Sequence, residues 1–179
     1  MNTVVFHGST RINGNTEYLA HQAVPKELAT HIYLRDYHIQ PIVDERHSER
    51  GFPNIEDDHN HLIEQLLNHD IIVFATPIYW YGMSGPMKRF IDRWSQTLRD
   101  PKYPDFRQAL KGKQVYLVLV GGDNPHIKGL PLVQQFRYIC QFFDMELIDY
   151  VIGQARKPGD IIANEKAIRS AKHLISDNL

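Results

Sequence analysis

Thr3-Val4-Val5-Phe6-His7-Gly8-Ser9-Thr10-Arg11-Ile12-Asn13-Gly14-Asn15-Thr16 begins as a continuous β-branched and aromatic run and breaks at once into small, hydroxyl and amide residues. Thr3 to Phe6 reads as a buried strand, and Gly8-Ser9-Thr10 as the loop that ends it. Asn15-Thr16 offers a helix cap, Glu17 suits the first turn, and Tyr18, Leu19, Gln22 and Ala23 continue at helical spacing until Pro25 stops the pattern. Strand, loop and helix in this order are the first unit of an alternating α/β chain.

The alternation repeats downstream. His31 to Leu34 reads as a second strand, and Asp36 to Asn54, with Pro41, Gly51, Pro53 and many charges, as a long surface connection. Leu62, Ile63, Leu66 and Leu67 share one helical face, and Ile71-Ile72-Val73-Phe74-Ala75 is the strongest buried-strand signal in the chain. Met83, Met87, Phe90, Ile91 and Trp94 form an apolar helical stripe, with Lys88, Arg89, Asp92 and Arg93 mostly on the opposite face. A fourth strand, Val115 to Val120, runs into Gly121-Gly122-Asp123-Asn124-Pro125. Leu132, Val133, Phe136, Ile139, Cys140 and Phe143 then repeat at helical spacing, Glu146 to Ile152 supplies a fifth strand, and Asn164 to Leu174 a closing helix.

Five strands alternating with five helices, most strands apolar on both faces, predict an α/β fold with a parallel sheet covered on each side. In such sheets ligands sit beyond the carboxyl ends of the strands, so the loops at residues 8 to 15, 76 to 82 and 121 to 125 are expected to converge on one crevice.

The chain's 179 residues, 42% of them hydrophobic, are expected to form one domain, 1–179. Lys+Arg 20 against Asp+Glu 21 leaves a formal net charge of -1, so no global field attracts nucleic acid or an acidic membrane. The single cysteine, Cys140, has no disulfide partner within the chain and excludes a cysteine-rich metal centre, which suits the reducing cytoplasm. No basic leader and no run of about 20 apolar residues is present, so neither export nor membrane insertion is expected.

The first loop has the chemistry of a phosphate site. Unpaired N–H groups at a helix start point toward an anion, Gly8 and Gly14 let the backbone approach, Ser9, Asn15 and Thr16 add side-chain donors, and Arg11 adds a charged fork. Neither a Walker pattern nor G-x-G-x-x-G spacing is present. A capped turn is the plain alternative. In the second loop, Tyr79-Trp80-Tyr81 cannot all share one face of a regular element, so at least one ring should meet the crevice or solvent, where a flat heterocycle would stack. A subunit contact would use the same rings. Gly121 and Gly122 admit a close backbone approach to a ring edge, or make a tight turn.

These residues in this order resemble the NADPH-dependent FMN reductase family of flavodoxin-like proteins. Gly8 to Thr16 and Thr76-Pro77-Ile78-Tyr79-Trp80-Tyr81-Gly82-Met83-Ser84 carry the resemblance, with Phe90-Ile91-Asp92-Arg93 after Met87-Lys88. The resemblance implies a flavodoxin-like three-layer sandwich with strand order 2-1-3-4-5. It places FMN phosphate on Ser9, Arg11, Asn13, Asn15 and Thr16 around Gly14, and the flavin ring beside Pro77, Ile78, Tyr79, Trp80, Tyr81 and Gly82 with Gly121 and Gly122 at its border. NADPH or NADH would then reduce FMN, and a small-molecule acceptor such as a quinone, a nitro or azo compound or a free flavin would reoxidise it, with no catalytic acid from the protein. The chain looks closest to the iron-sulfur flavoprotein branch, with an acidic pair like Asp57-Asp58, but lacks the cluster cysteines. Relatives commonly form homodimers or homotetramers.

Asp57, Asp58, His59 and His61 have metal-ligating chemistry, but they precede an amphipathic helix and read as solvated polar residues near its positive end. Asp92 and Arg93 read as solvated or interfacial, His7 as a hydrogen-bonded buried imidazole, and Cys140 as core. A flavodoxin-type electron carrier is the main rival, disfavoured by the near-neutral charge. A phosphate-handling hydrolase lacks a nucleophile in the loop, and a flavin-free binding module would be colourless.

Overall fold

The opening run forms β1 (Thr3–His7) and takes the second place in a five-stranded parallel sheet, in a computed structural model that describes residues 1–175. It pairs with β2 (Thr30–Tyr33) on one side and β3 (Ile71–Pro77) on the other, and β4 (Gln114–Gly121) and β5 (Glu146–Gln154) complete the order β2-β1-β3-β4-β5. Every pairing is parallel, so the order matches the expectation, and all carboxyl ends lie along one edge. Residues 176–179, the end of the span expected as one domain, lie outside the described residues.

The pleat sends alternate residues to opposite faces. Val4, Phe6, Ile72, Phe74, Leu117 and Leu119 pack against α2 (His59–Leu67), α3 (Gly85–Asp92) and α7 (Leu130–Phe142) through Leu62, Leu66, Met87, Phe90 and Phe136. Val5, Val73 and Val118 face α1 (Asn15–Ala23) and α8 (Glu165–Lys172) through Leu19, Ala20, Ala167 and Ala171. Three layers result, each face of the sheet taking apolar residues out of water.

The five helices expected from periodicity are all present, with three short ones added: α4 (Trp94–Thr97), α5 (Phe106–Leu110) and α6 (Pro125–Lys128). Segments of four or five residues are too short to display a helical repeat. The stripe expected to run from Met83 through Trp94 is divided at Arg93. Arg93 is 2 % exposed and pairs with Asp57 at 2.7 Å, correcting the solvated reading of both residues. Its guanidinium also donates to the Gln40 carbonyl at 3.0 Å and the Gln96 side chain at 2.8 Å, so this buried ion pair moors the long connection that begins at Asp36 to the helical layer at Gln40 and Asp57. His59 is likewise buried, with Nε2 within 2.9 Å of the Thr97 hydroxyl, while Asp58 accepts the His38 N–H and His61 stacks on Tyr37. Asp57 also accepts the His59 N–H at 3.0 Å, so these residues are engaged in holding the start of α2. The strand β5, expected to be covered, has a largely exposed first half because it is the sheet edge.

Candidate functional site

The loop after β1 leaves α1 with an open N-terminus. Gly14, rather than Asn15 or Thr16, is its cap residue and offers no side chain to the first turn. Asn15 is occupied elsewhere: Nδ2 donates to the Lys157 carbonyl at 2.8 Å, and Oδ1 accepts the Gly159 N–H at 2.9 Å. The backbone N–H groups of Gly14, Asn15, Thr16 and Glu17 consequently meet no acceptor among the described residues. Such orphan donors at the positive end of a helix favour an anion. Ser9 Oγ accepts the Arg11 N–H at 3.1 Å and fixes the loop, leaving the Arg11 side chain exposed beside the helix start.

Asn13 takes a different part. Its φ of 52° lies in the left-handed region, which asparagine tolerates, and its N–H is bonded to Glu17 Oε2 at 3.2 Å. It shapes the loop without lining the crevice.

After β3, the chain makes a two-residue turn. Tyr79 and Gly82 exchange both backbone hydrogen bonds at 3.0 Å, and Trp80 and Tyr81 between them have φ values of 49° and 64°. Left-handed backbone at two aromatic residues costs about 1–2 kcal/mol each, strain of the kind that concentrates at functional sites. The result is a hairpin tip on which Trp80 is 95 % exposed, with Tyr79 and Tyr81 exposed beside it. Gly82 serves the turn. Inside it, Thr76 Oγ1 accepts the Ser84 N–H at 3.0 Å and Ser84 Oγ donates to the Gly8 carbonyl at 2.6 Å, joining this loop to the first.

The third loop closes the crevice. A Cβ on Gly122 would stand 2.8 Å from Arg156 Cγ, and one on Gly121 would stand 3.2 Å from Ile78 Cδ1, so the close approach the two glycines permit is to neighbouring side chains of the protein itself. Arg156, after β5, donates Nε–H to the Gly122 carbonyl at 2.8 Å. Asp123 accepts from the Tyr81 hydroxyl at 3.1 Å and from Lys128 Nζ at 2.6 Å, a polar bridge from the hairpin tip to α6. The hydrogen bonds from Lys128 and Tyr81 hold the Asp123 carboxyl below its ordinary range, and Asp123 in turn raises Lys128.

Two adjoining cavities occupy the space between these loops. One, of 260 Å³, is lined by Ser9, Arg11, Gly14, Asn15 and Thr16 on one side and by Pro77, Ile78, Tyr79, Gly121 and Gly122 on the other. The second, of 300 Å³, lies between Trp80, Tyr81, Asp123 and Lys128 and shares Ile78, Gly121, Gly122 and Arg156 with the first. Twelve of the fourteen residues singled out in the sequence thus face one crevice, Asn13 and Gly82 being the two outside it. Arg156, Lys128 and Asp123 also line the crevice, and the sequence reading does not single them out. The rule that ligands sit at strand carboxyl ends, applied to β5 as to the others, points to Arg156. A bare arginine in a polar loop carries no motif of its own. Cys140 is buried in α7 and its thiol is pushed up to about 12 by burial, which leaves it unreactive.

The chain is similar in sequence and in fold to known proteins. A family model for NADPH-dependent FMN reductases matches residues 1–155. A Bacillus subtilis protein, YwqN, described as an NAD(P)H-dependent FMN-containing oxidoreductase, is 53% identical over 175 residues, covering 98% of this chain and 97% of its own. The solved structure of a B. subtilis protein titled Trp repressor binding protein superposes with a TM-score of 0.82 at 46% identity, over 97% of both chains. General stress protein 14 of Treponema denticola, solved with FMN, shares the fold alone, with a TM-score of 0.66 at 16% identity over 98% of this chain and 97% of that one.

Proposed function

Because this chain belongs to the NADPH-dependent FMN reductase family and is an FMN-dependent NAD(P)H oxidoreductase, we propose that the paired cavities are its flavin site, with the phosphate at α1 and the ring between Ile78, Trp80, Tyr81 and Gly121-Gly122. The uncapped α1 start, with four unsatisfied N–H groups beside Arg11, is the observation that carries this reading. It fits a phosphomonoester dianion, and the adjoining apolar wall of Ile78 with the aromatic tip fits a planar ring. Ser9, Asn15 and Thr16 hold the loop around the phosphate, and Asn13 holds it in shape. When bound, FMN supplies the two-electron chemistry, taking a hydride from NAD(P)H and passing the electrons to an acceptor.

The protein's part is binding and orientation. Arg11, Arg156 and Lys128 give the crevice a positive lining, offset by Asp123, which favours an anionic cofactor over its neutral analogue. The backbone N–H groups of Gly122 and Asp123 find no acceptor among the described residues and are available to a ring carbonyl or an anionic ring edge. Trp80, standing clear of the surface, offers a face against which a flat second substrate stacks. The acceptor is accordingly proposed to be a small aromatic or quinonoid molecule.

A homodimer or homotetramer is proposed, supported by the exposed Tyr138 and Phe142 of α7, which with Ile91 and Leu98 line a groove of 570 Å³. No helix among the described residues is long and apolar enough to cross a membrane. The cytoplasm, where NAD(P)H is supplied, is the proposed location, and residues 1–179 are proposed to act as one domain.

Titration with FMN and riboflavin tests the site. Wild-type protein should prefer FMN, and Arg11→Ala should weaken FMN roughly ten- to hundredfold, about 1.4–3 kcal/mol, with little change for riboflavin. Equal loss for both ligands would move the phosphate away from this loop.

A further inference from the structure

Beneath the first loop, three histidines from three elements meet on the face of the sheet that α1 covers. His7 ends β1, His31 lies on β2 in register with Val5, and His21 is in the last turn of α1. His7 Nε2 and His31 Nδ1 are 2.9 Å apart, and one ring nitrogen of each of the three lies within 4.8 Å of the other two. The ring centroids are 5.5 Å (His7–His21), 5.2 Å (His7–His31) and 5.1 Å (His21–His31) apart.

Packing alone does not account for this cluster. Buried imidazoles kept for structure normally satisfy both nitrogens, yet His7 Nδ1, on the outer side of the ring that meets His31, is buried without a hydrogen-bond partner. Burial also keeps the rings neutral. Burial, reinforced by the other histidines, Arg35 and Lys26, pushes His7 down to about 2. Burial, with His21 and Lys26, takes His31 to about 4 against the opposing Pro25 carbonyl and Glu17. His21 is lowered by burial and Lys26, with Glu17 and Glu27 opposing. His7 Nε2 and His31 Nδ1 share one proton, which an entering ion would send to an outer ring nitrogen.

We propose that His7, His21 and His31 form a binding site for one borderline divalent transition-metal ion, zinc being the representative, with water as fourth ligand. An all-imidazole set suits zinc, copper or nickel and not magnesium or calcium, which take oxygen ligands. Around a tetrahedral ion with Zn–N of about 2.0–2.1 Å, ligand nitrogens stand about 3.4 Å apart. His7 Nε2 and His31 Nδ1, now hydrogen-bonded at 2.9 Å, would part slightly to admit the ion, and His21 would exchange its Tyr33 hydroxyl contact for it. Tyr33 fixes the surroundings, its ring stacked on His7 at 4.5 Å and its hydroxyl 3.1 Å from His21 Nε2.

The site adjoins the first loop. Gly8 follows His7 directly, and Arg35, over the Tyr33 ring at 4.5 Å, donates to Glu17 Oε2 at 2.9 Å and to the Arg11 carbonyl at 3.2 Å. The same Glu17 oxygen takes the Asn13 N–H. A bound ion would therefore brace the loop from below, as a structural centre.

Calorimetric titration of chelator-treated, untagged, full-length protein with Zn²⁺ alone tests the proposal without reference to flavin. One zinc per chain should bind, and His21→Ala and His31→Ala should each weaken it at least about tenfold, whereas His61→Ala, at an exposed position, should not. Cobalt(II) should give the intense visible absorption of a tetrahedral ion in wild type and lose it in both variants. His21→Ala alters only a half-buried helix-end residue, and circular dichroism confirms its fold independently of His31→Ala. Zinc affinity equal in wild type and His21→Ala, no zinc binding in wild type, or an octahedral cobalt spectrum would overturn the site.

Discussion

Ser84 Oγ donates to the Gly8 carbonyl at 2.6 Å, a hydrogen bond between the second loop of the crevice and the first. Ser84 is fully buried and also caps α3 by accepting the Met87 N–H at 3.4 Å. Gly8 is held in turn by its N–H to the Ala75 carbonyl at 2.8 Å. The spacing of the first and second loops of the crevice is set by this contact. Ser84→Ala leaves a buried carbonyl unpaired and removes a cap, costing about 1–3 kcal/mol. FMN affinity should fall roughly tenfold, about 1.4 kcal/mol. Urea unfolding and fluorescence titration check the two effects, and unchanged FMN affinity would mean that the loops are positioned independently.

The strained tip makes a prediction of opposite sign for stability and activity. Trp80→Asn places a residue tolerant of left-handed backbone at φ 49°, so stability should hold or rise by about 1 kcal/mol. KM for aromatic acceptors should increase while FMN affinity stays near wild type. Steady-state kinetics with a quinone acceptor and a melting curve separate these outcomes.

Arg93 and Asp57 form an ion pair whose side chains are 2 % and 1 % exposed. Burial opposes ionisation of Asp57, but hydrogen bonds from the Gln40 and His59 N–H groups and from Arg93 keep its carboxyl below the ordinary range. Arg93→Met strands a buried carboxylate and should cost about 3–5 kcal/mol, with urea denaturation as the measurement. The connection from Asp36 to Asn54, moored by this pair, should become the first segment cleaved by protease.

His59 gives stability a pH dependence. Burial first, then repulsion from Arg93, takes it down to about 3, with Asp57 opposing. Between its ordinary value near 6.5 and about 3, the unfolded chain binds a proton that the folded chain refuses, so stability falls as pH drops through that window. The slope is at most about 1.4 kcal/mol per pH unit for this group. Equilibrium unfolding at several pH values should show a shallower slope in His59→Gln, and an unchanged slope would contradict the assignment.

The fold was legible because its strands are short apolar runs ended by glycine, proline or polar loops, from Thr3 to Phe6 through Val115 to Val120. The crevice was legible because sheet topology fixes where loops gather. What escaped reading depended on distant partners. Arg93 looks like a solvent-side helix residue until Asp57 approaches across 36 positions, and Asn15 looks like a cap until the 157–161 loop claims its side chain. His7, His21 and His31 have no common spacing, and only the pairing of β1 with β2 under α1 brings them together.

An anaerobic absorbance spectrum of the protein reconstituted with FMN, before and after NADPH and then NADH, tests the central claim most directly. One FMN per chain should bind, and its visible band should bleach within seconds of adding one of the two nucleotides. A bound flavin that keeps its colour with both, or no flavin binding at all, would contradict the account.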